Sequence, residues 1–334
     1  MVNIGYQASH EQFSPSQLLD FVKLAEQAGF DLINSSDHFH PWGENQGQSG
    51  FSFAWLGAAM YATALPYSMV CAPGQRYHPA IVAQAAGTLA ELYPGRFKMA
   101  LGSGEALNES ITGERWPVKQ QRNQRLLESA QVIRKLFAGE TVNHSGLVTV
   151  SNAKLYTRPR VAPLLYCAAL TPETAAWAGT WADGLLTAQQ PITRLKEIIS
   201  AFNDNGGAGK PLALKVQLSY AATEAEALDG AWHQWKTNIF AGTVLSDLAT
   251  PAHFDAMSKF VKPDDMHAHV HISADLHVHL KWLLEYKTLG FNDIILHNVN
   301  RSQEAFIRDF GEVVLPAFKQ AGDNNAHQQH GARK

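Results

Sequence analysis

Cysteine is scarce in this chain of 334 residues: only Cys71 and Cys167 occur, each inside an apolar, strand-like run. That placement fits buried thiols in a reducing compartment and speaks against a disulfide framework. Blocks of like charge are missing too. Lys and Arg number 27 against 30 Asp and Glu, a formal net charge of −3, and the lack of a basic stretch argues against a nucleic-acid partner. No apolar run is long enough to cross a bilayer, so no membrane is expected. Met1-Val2-Asn3-Ile4-Gly5 enters a strand pattern directly, with neither a basic nor an apolar leader region, so no signal peptide is expected and the expected location is cytoplasmic. No Gly-x-Gly-x-x-Gly follows the first strand, which counts against a Rossmann domain. Core material is plentiful: 46% of residues are hydrophobic, enough for one large domain or two ordinary ones.

Eight strand-like runs alternate with helical patterns, at 4–7, 30–34, 67–71, 97–101, 164–168, 184–187, 212–221 and 293–297. Ser14-Pro15 opens a helix with a cap and a proline at its first position. One junction recurs, in which a helix ends on a small residue, an acidic residue follows and an apolar strand begins: Ala28-Gly29-Phe30-Asp31-Leu32, Trp181-Ala182-Asp183-Gly184-Leu185, and Leu289-Gly290-Phe291-Asn292-Asp293-Ile294. Such alternation predicts an α/β fold with a parallel sheet, and at this length a closed (β/α)8 TIM barrel. Two stretches break the rhythm. Residues 139–159 read as short strands after strand four, and 224–270 as an irregular helical insertion after strand seven. The expected organisation is one barrel domain over 1–320 and a polar, disordered tail over 321–334.

A barrel keeps its chemistry at the C-terminal ends of its strands. After strand two comes Ser35-Ser36-Asp37-His38-Phe39-His40-Pro41-Trp42, which supplies a carboxylate, two imidazoles and an indole for proton transfer and a flat ligand. After strand four comes Gly102-Ser103-Gly104-Glu105-Ala106-Leu107-Asn108-Glu109. Its glycines admit close approach of a ligand, and burial of Glu105 would raise its pKa and make it a proton donor. Ala169-Leu170-Thr171 follows strand five and Gln189-Gln190 strand six. The run His267-Ala268-His269-Val270-His271 sets three imidazoles on one face if it is a strand. No carboxylate or Cys completes a familiar ligand pattern there, so solvated histidines and no metal are expected.

These motifs, with Gly5-Tyr6-Gln7-Ala8-Ser9, Glu11-Gln12-Phe13, Arg76-Tyr77-His78-Pro79-Ala80 and Leu92-Tyr93-Pro94-Gly95-Arg96, resemble the bacterial luciferase-like superfamily of flavin-dependent oxidoreductases. The branch they resemble most contains the deazaflavin-dependent glucose-6-phosphate dehydrogenases. The resemblance implies an isoalloxazine-type ring over the strand ends. It implies that His38 removes a substrate hydroxyl proton, that Glu105 protonates the reduced ring, and that Trp42 supports developing charge. Asp37, Met69, Val70, Gly102, Ser103, Gly104, Asn108, Ala169, Leu170 and Thr171 are the implied cofactor residues, with a non-prolyl cis peptide at Met69-Val70.

Two departures bear on the ligands. Leu170-Thr171 stands where that branch has a Gly-Gly pair for the cofactor phosphate, although Thr171-Pro172 still opens a helix that can hold an anion. Gln189-Gln190 stands where users of sugar phosphates carry a Lys, and loss of a charge-assisted contact argues against glucose 6-phosphate. FMN is therefore favoured over coenzyme F420. The leading expectation is hydride transfer between a small organic substrate and the ring, in a homodimer. One alternative is an FMNH2-dependent monooxygenase served by a flavin reductase; another, of a different class, is a flavin-binding protein without turnover.

Overall fold

In a computed structural model that describes residues 2–321, the chain begins β1 (Asn3–Ala8), α1 (Pro15–Gln27), β2 (Leu32–Ser35), α2 (Ser52–Ala62), β3 (Tyr67–Cys71), α3 (Pro79–Leu92), β4 (Phe97–Leu101), α4 (Ala106–Glu109) and α5 (Lys119–Ala138). A hairpin of β5 (Val142–Ser145) and β6 (Thr149–Ala153) precedes β7 (Leu165–Ala168), α6 (Pro172–Gly179), β8 (Gly184–Ala188), α7 (Ile192–Phe202) and β9 (Leu212–Ser219). The second insertion holds α8 (Glu224–Trp235), α9 (Gly242–Leu245), α10 (Pro251–Met257) and the two-residue β10 (His271–Ile272). Last come α11 (Leu276–Lys287), β11 (Asp293–Asn298) and α12 (Gln303–Asp309), from which helical backbone runs on to residue 321.

Eight parallel strands close in the order β9-β11-β1-β2-β3-β4-β7-β8, and β8 pairs back onto β9. This is the expected (β/α)8 barrel, with its insertions after the fourth and seventh barrel strands. Of the three short strands expected at 139–159, two form. Asn152, at φ 50°, sits where the hairpin register shifts, Ala153 still pairs with Val142, and 154–156 lies outside any strand. The expected polar tail, Ala321 apart, lies outside the described residues.

The recurring junction has a structural task. Gly29 and Gly290 take φ of 88° and 84°, which end their helices in the left-handed region. The polar residue that follows then caps the start of a neighbouring strand. Asp31 accepts from the Ile4 amide at 2.9 Å, Asp183 from Leu165 at 2.9 Å and Asn292 from Leu212 at 2.8 Å. At the opposite end of each helix, Ser14 and Gln17 form the capping box that opens α1, with Pro15 in its first turn.

Strand alternation sorts the side chains. Outward residues such as Ile4, Met69, Leu101, Leu214 and Leu296 join the helices in the main core. The inward ones make three levels. At the base, Lys98 pairs with Asp293, which also accepts from Asn3 at 2.8 Å. The middle is an apolar belt of Leu32, Ala100, Tyr166, Leu186, Ala213 and Ile295. Above it, Ser68 donates to Asn34 and Asn34 to Gln7, each at 2.6 Å. Lys215 is level with Ile295 and Ala188 in the ladder, and His297 with Gln217, so both face the axis beneath the mouth.

Candidate active site

The turn after β1 buries four polar residues in a row, Ser9, His10, Glu11 and Gln12. Ser36, at the end of β2, fixes this turn: its hydroxyl accepts from the His10 amide at 2.9 Å and donates to Glu11 at 2.8 Å. Ser9 donates to the same Glu11 oxygen at 2.8 Å. The other Glu11 oxygen faces His38 Nε2 at 3.6 Å. Burial by itself would raise the Glu11 pKa; His38 while it is protonated, the hydrogen bonds and the Lys215 charge outweigh it and bring it down to about 2. Burial moves His38 the other way, below the usual imidazole range, with Glu11 opposing. The pair therefore stands as a carboxylate beside a neutral imidazole, a base with its orienting group. Trp42 packs on the His38 ring at 4.7 Å and on Phe254 of α10 at 5.3 Å.

Glu105 is the N-cap residue of α4, but its carboxylate makes no capping hydrogen bond. Burial pushes its pKa up to about 7, and the Glu11 charge adds to the rise while Lys215 opposes it. An acid that holds its proton near neutrality thus stands at the same mouth as the Glu11–His38 base, within electrostatic reach of Glu11. Gly104 reaches the turn with φ of 83°, and a Cβ there would meet Glu109 at 3.0 Å and Trp116 at 3.2 Å.

The loops after β2, β3 and β4 are stapled together. Arg76 contacts Asp37 at 3.0 Å with its guanidinium, and its backbone amide donates to Glu109 at 2.7 Å. The Tyr77 hydroxyl donates to Asp37 at 3.0 Å. Asn108 accepts from the Phe39 amide at 2.8 Å, and His40 Nδ1 bonds the Leu107 carbonyl at 2.8 Å. Asp37 and Asn108, both expected to touch the cofactor, therefore already serve the loops that carry His38 and Glu105.

Other expected residues divide. Gly102 bonds the Cys71 carbonyl at 2.8 Å and leaves open space on its Cα, where an added Cβ would come no nearer than 4.0 Å to the side chain of Ala168. Ser103 accepts from Lys119 at 2.8 Å. Of Met69 and Val70, only Val70 packs against the inner belt; the Met69 side chain lies in the helical layer. The implied cis bond is absent: no peptide bond among the described residues is cis. Both residues sit in an unbroken parallel ladder with Met99 and Ala100, which the trans form satisfies without the cost of isomerisation. Ala169 is buried, Leu170 is exposed, and Thr171 caps α6. The carboxylate of Glu173 is itself hydrogen-bonded to its own amide and Thr171, which sets an anion where a phosphate was expected.

The histidine run does not form a three-imidazole face. Residues 263–268 are 3-10 helix, and only His271 enters a strand, stacked on Trp282 at 4.2 Å. No group of metal-ligating side chains occurs among the described residues. Sequence reasoning passed over Glu11 and Lys215. Glu11 stood inside a quoted motif and three residues past the end of β1, the same offset as His38 from β2, so its place after a strand end was a usable signal that went unread. Lys215 had a usable signal, a lone cation at an alternating position of an otherwise apolar strand, Leu212-Ala213-Leu214-Lys215-Val216.

Comparison with known proteins agrees with this geometry. The profile of a family described as luciferase-like monooxygenase matches residues 2–293. An F420-dependent glucose-6-phosphate dehydrogenase of Microbacterium testaceum is 33% identical over 334 residues, covering 95% of this chain and 98% of that protein. Its counterpart in Beutenbergia cavernae is 33% identical over 330 residues, covering 96% and 98%. Among solved structures, an F420-dependent secondary alcohol dehydrogenase in complex with an F420-acetone adduct superposes with a TM-score of 0.88 at 30% identity, covering 95% of this chain and 99% of that one. An F420-dependent tetrahydromethanopterin reductase from Methanopyrus kandleri, at 19% identity and a TM-score of 0.76, shares the fold. The expected preference for FMN finds no support among these relatives. Barrel, motifs and matches converge: the chain belongs to the luciferase-like family and is an oxidoreductase of that class.

Proposed function

We propose that this protein is a dehydrogenase that uses the deazaflavin coenzyme F420 to oxidise a small secondary alcohol or reduce the matching carbonyl compound. The observation that carries this reading is the separation of protonation states at one mouth, Glu105 raised to about 7 and Glu11 lowered to about 2 beside a neutral His38. A protonated carboxyl and a free base held together suit paired proton and hydride transfer, where one group must give a proton while the other takes one. The names and titles of the relatives favour the deazaflavin over FMN.

The residues fit such a ring. Gly102 leaves a bare surface, and His38 Nδ1 and His297 Nδ1 are buried polar atoms without hydrogen-bond partners. Gly102, Gly104 and Val70 would bound the ring, and Lys119, beside Ser103, is a cation suited to its phosphate now that Glu173 crowds Thr171. When bound, the ring supplies a hydride acceptor. His38, oriented by Glu11, takes the hydroxyl proton; Glu105 supplies the proton that completes reduction; Trp42 shields the imidazole from water. A sugar phosphate is not the proposed substrate. Gln189 accepts from the Gln217 amide and Gln190 donates to the Leu170 carbonyl, so neither offers a charge.

Equilibrium titration of the purified protein with F420 and with FMN, followed by single-turnover reduction with a panel of secondary alcohols, tests the proposal. Tight F420 binding and its bleaching by an alcohol are expected. Tighter binding of FMN, or oxygen consumption in place of bleaching, would overturn it.

A further inference from the structure

Lys215 has no place in the proton-transfer scheme above, yet it is set into the active site. Its neighbours in the ladder, Ile295 and Ala188, and its inward register with Ala213 of the inner belt, direct its side chain to the barrel axis. Its charge acts on Glu11, Glu105, His38 and His297. It is half-buried, and among the described residues it makes no hydrogen bond or ion pair. The other cations near the mouth are engaged: Arg76 with Asp37, Arg122 with Asp247 at 3.1 Å, and Lys119 with Ser103. An ammonium group has three N–H donors, which water serves when no protein acceptor is present. Glu11, which would be the natural partner, is held by Ser9, Ser36 and His38, so the protein supplies no acceptor and an anionic ligand can take the place of water.

We infer that Lys215 is a specificity-determining residue whose ammonium group receives a carboxylate on the carbon next to the reacting carbinol, so that the preferred substrates are small hydroxy acids and their oxo-acid products. The inference rests on the dehydrogenase reading. The position of Lys215 sets the class: it faces the barrel axis beneath the mouth that carries His38 and Glu105, and its charge acts on both, so the anion it receives belongs beside the reacting carbon and not at the far end of a long substrate. In the reaction the carbinol C–H bond breaks and its hydrogen leaves with both electrons as hydride to the deazaflavin. The hydroxyl proton passes to His38, a C=O bond forms, and one proton from Glu105 balances the reduced ring.

Two matched pairs test this, lactate against isopropanol and pyruvate against acetone, each differing by a carboxylate for a methyl group. Turnover with F420 is followed in the wild type, Lys215→Met and Lys215→Arg, and binding of oxamate to the cofactor-free protein is measured by calorimetry. The wild type is expected to favour lactate in kcat/KM. Lys215→Met should cut that ratio and the oxamate affinity by roughly 10- to 100-fold, the worth of one charge-assisted hydrogen bond, chiefly through KM, while Lys215→Arg recovers part of both. A wild type that prefers isopropanol, or equal ratios in wild type and Lys215→Met, would overturn the inference and leave the dehydrogenase reading standing. If F420 neither binds nor bleaches, that reading fails, and the oxamate titration still decides the role of Lys215: unchanged affinity in Lys215→Met rejects it.

Discussion

The two halves of the barrel mouth are built on different plans. The turns after β1 to β4 carry Glu11, Asp37, Arg76, Glu105 and Glu109, and four of these five charges are tied to groups from other loops. The strand ends from β7 to β9 offer Ala169, Leu170, Thr171, Gln189 and Gln190, with the Glu173 carboxylate beside Thr171 and one cation, Lys215, set down inside a strand. The first half fixes protonation states by mutual contact before any ligand arrives. The second half leaves room and a cation without a protein partner. On the proposed reading, the groups for proton transfer and the means of choosing a substrate are carried by different stretches of chain.

The sharpest way to break this contrast is to remove the reacting groups of the first half. His38→Ala and Glu105→Gln should each slow single-turnover ring reduction by roughly 10²–10⁴-fold while F420 affinity stays close to that of the parent. Stopped-flow absorbance reads the rate. Unchanged rates in both variants would make the two residues structural.

The next effect is on stability. Arg76→Met leaves Asp37 and Glu109 buried without their cation, and breaking such a pair costs about 3–5 kcal/mol. Urea denaturation should show that loss, and the double variant Arg76→Met/Asp37→Asn should recover part of it. A loss below about 1 kcal/mol would mean that the loops are not stapled by this cation.

A smaller effect follows from pH. The Glu11 pKa is depressed from 4.5 to about 2 in the fold. A depressed carboxyl pKa contributes stability that is present above 4.5 and lost as pH falls toward about 2. Glu11→Gln should therefore be less stable than the parent at neutral pH, with the gap closing across that acid window. Alcohol oxidation has the opposite limb: Glu105 gives up its proton as pH rises through about 7, so kcat should fall above that point, and Glu105→Gln should lack the fall.

The smallest effect belongs to the second half. Gln190 donates one exposed hydrogen bond to the Leu170 carbonyl, and Gln190→Ala should change stability by no more than about 0.5 kcal/mol. A large loss of F420 affinity in this variant would show that the second half holds the cofactor more tightly than its sparse polar groups suggest.

The barrel was legible in the sequence because its rules are local. The repeated small-residue and acidic junction, and the alternation of runs, each concern a few neighbouring residues. The placement of His38 and Glu105 at the mouth was legible for the same reason, since each closely follows its strand. What escaped was set by register and by three-dimensional pairing. Lys215 faces the axis because β9 turns its odd-numbered residues inward, whereas β3 turns its odd-numbered residues outward and takes the Met69 side chain away from the mouth. Asp37 read as a ligand because nothing nearby in the chain announces Arg76, which stands 39 residues further on. The His267 run read as a possible strand because alternation alone cannot tell it from a turn of 3-10 helix that ends at His271.

The three capped junctions at the base of the barrel carry a consequence for how the molecule opens. The leading amide of a strand is ordinarily the first to trade its hydrogen with solvent, since fraying starts at strand ends. Here the amides of Ile4, Leu165 and Leu212 are each held by a side chain from the neighbouring strand's entry. Deuterium should therefore enter these positions slowly, and fraying should be stopped at three places spaced around the ring. The mouth loops are held by side-chain contacts between themselves instead, so the base is closed independently of anything that happens at the mouth.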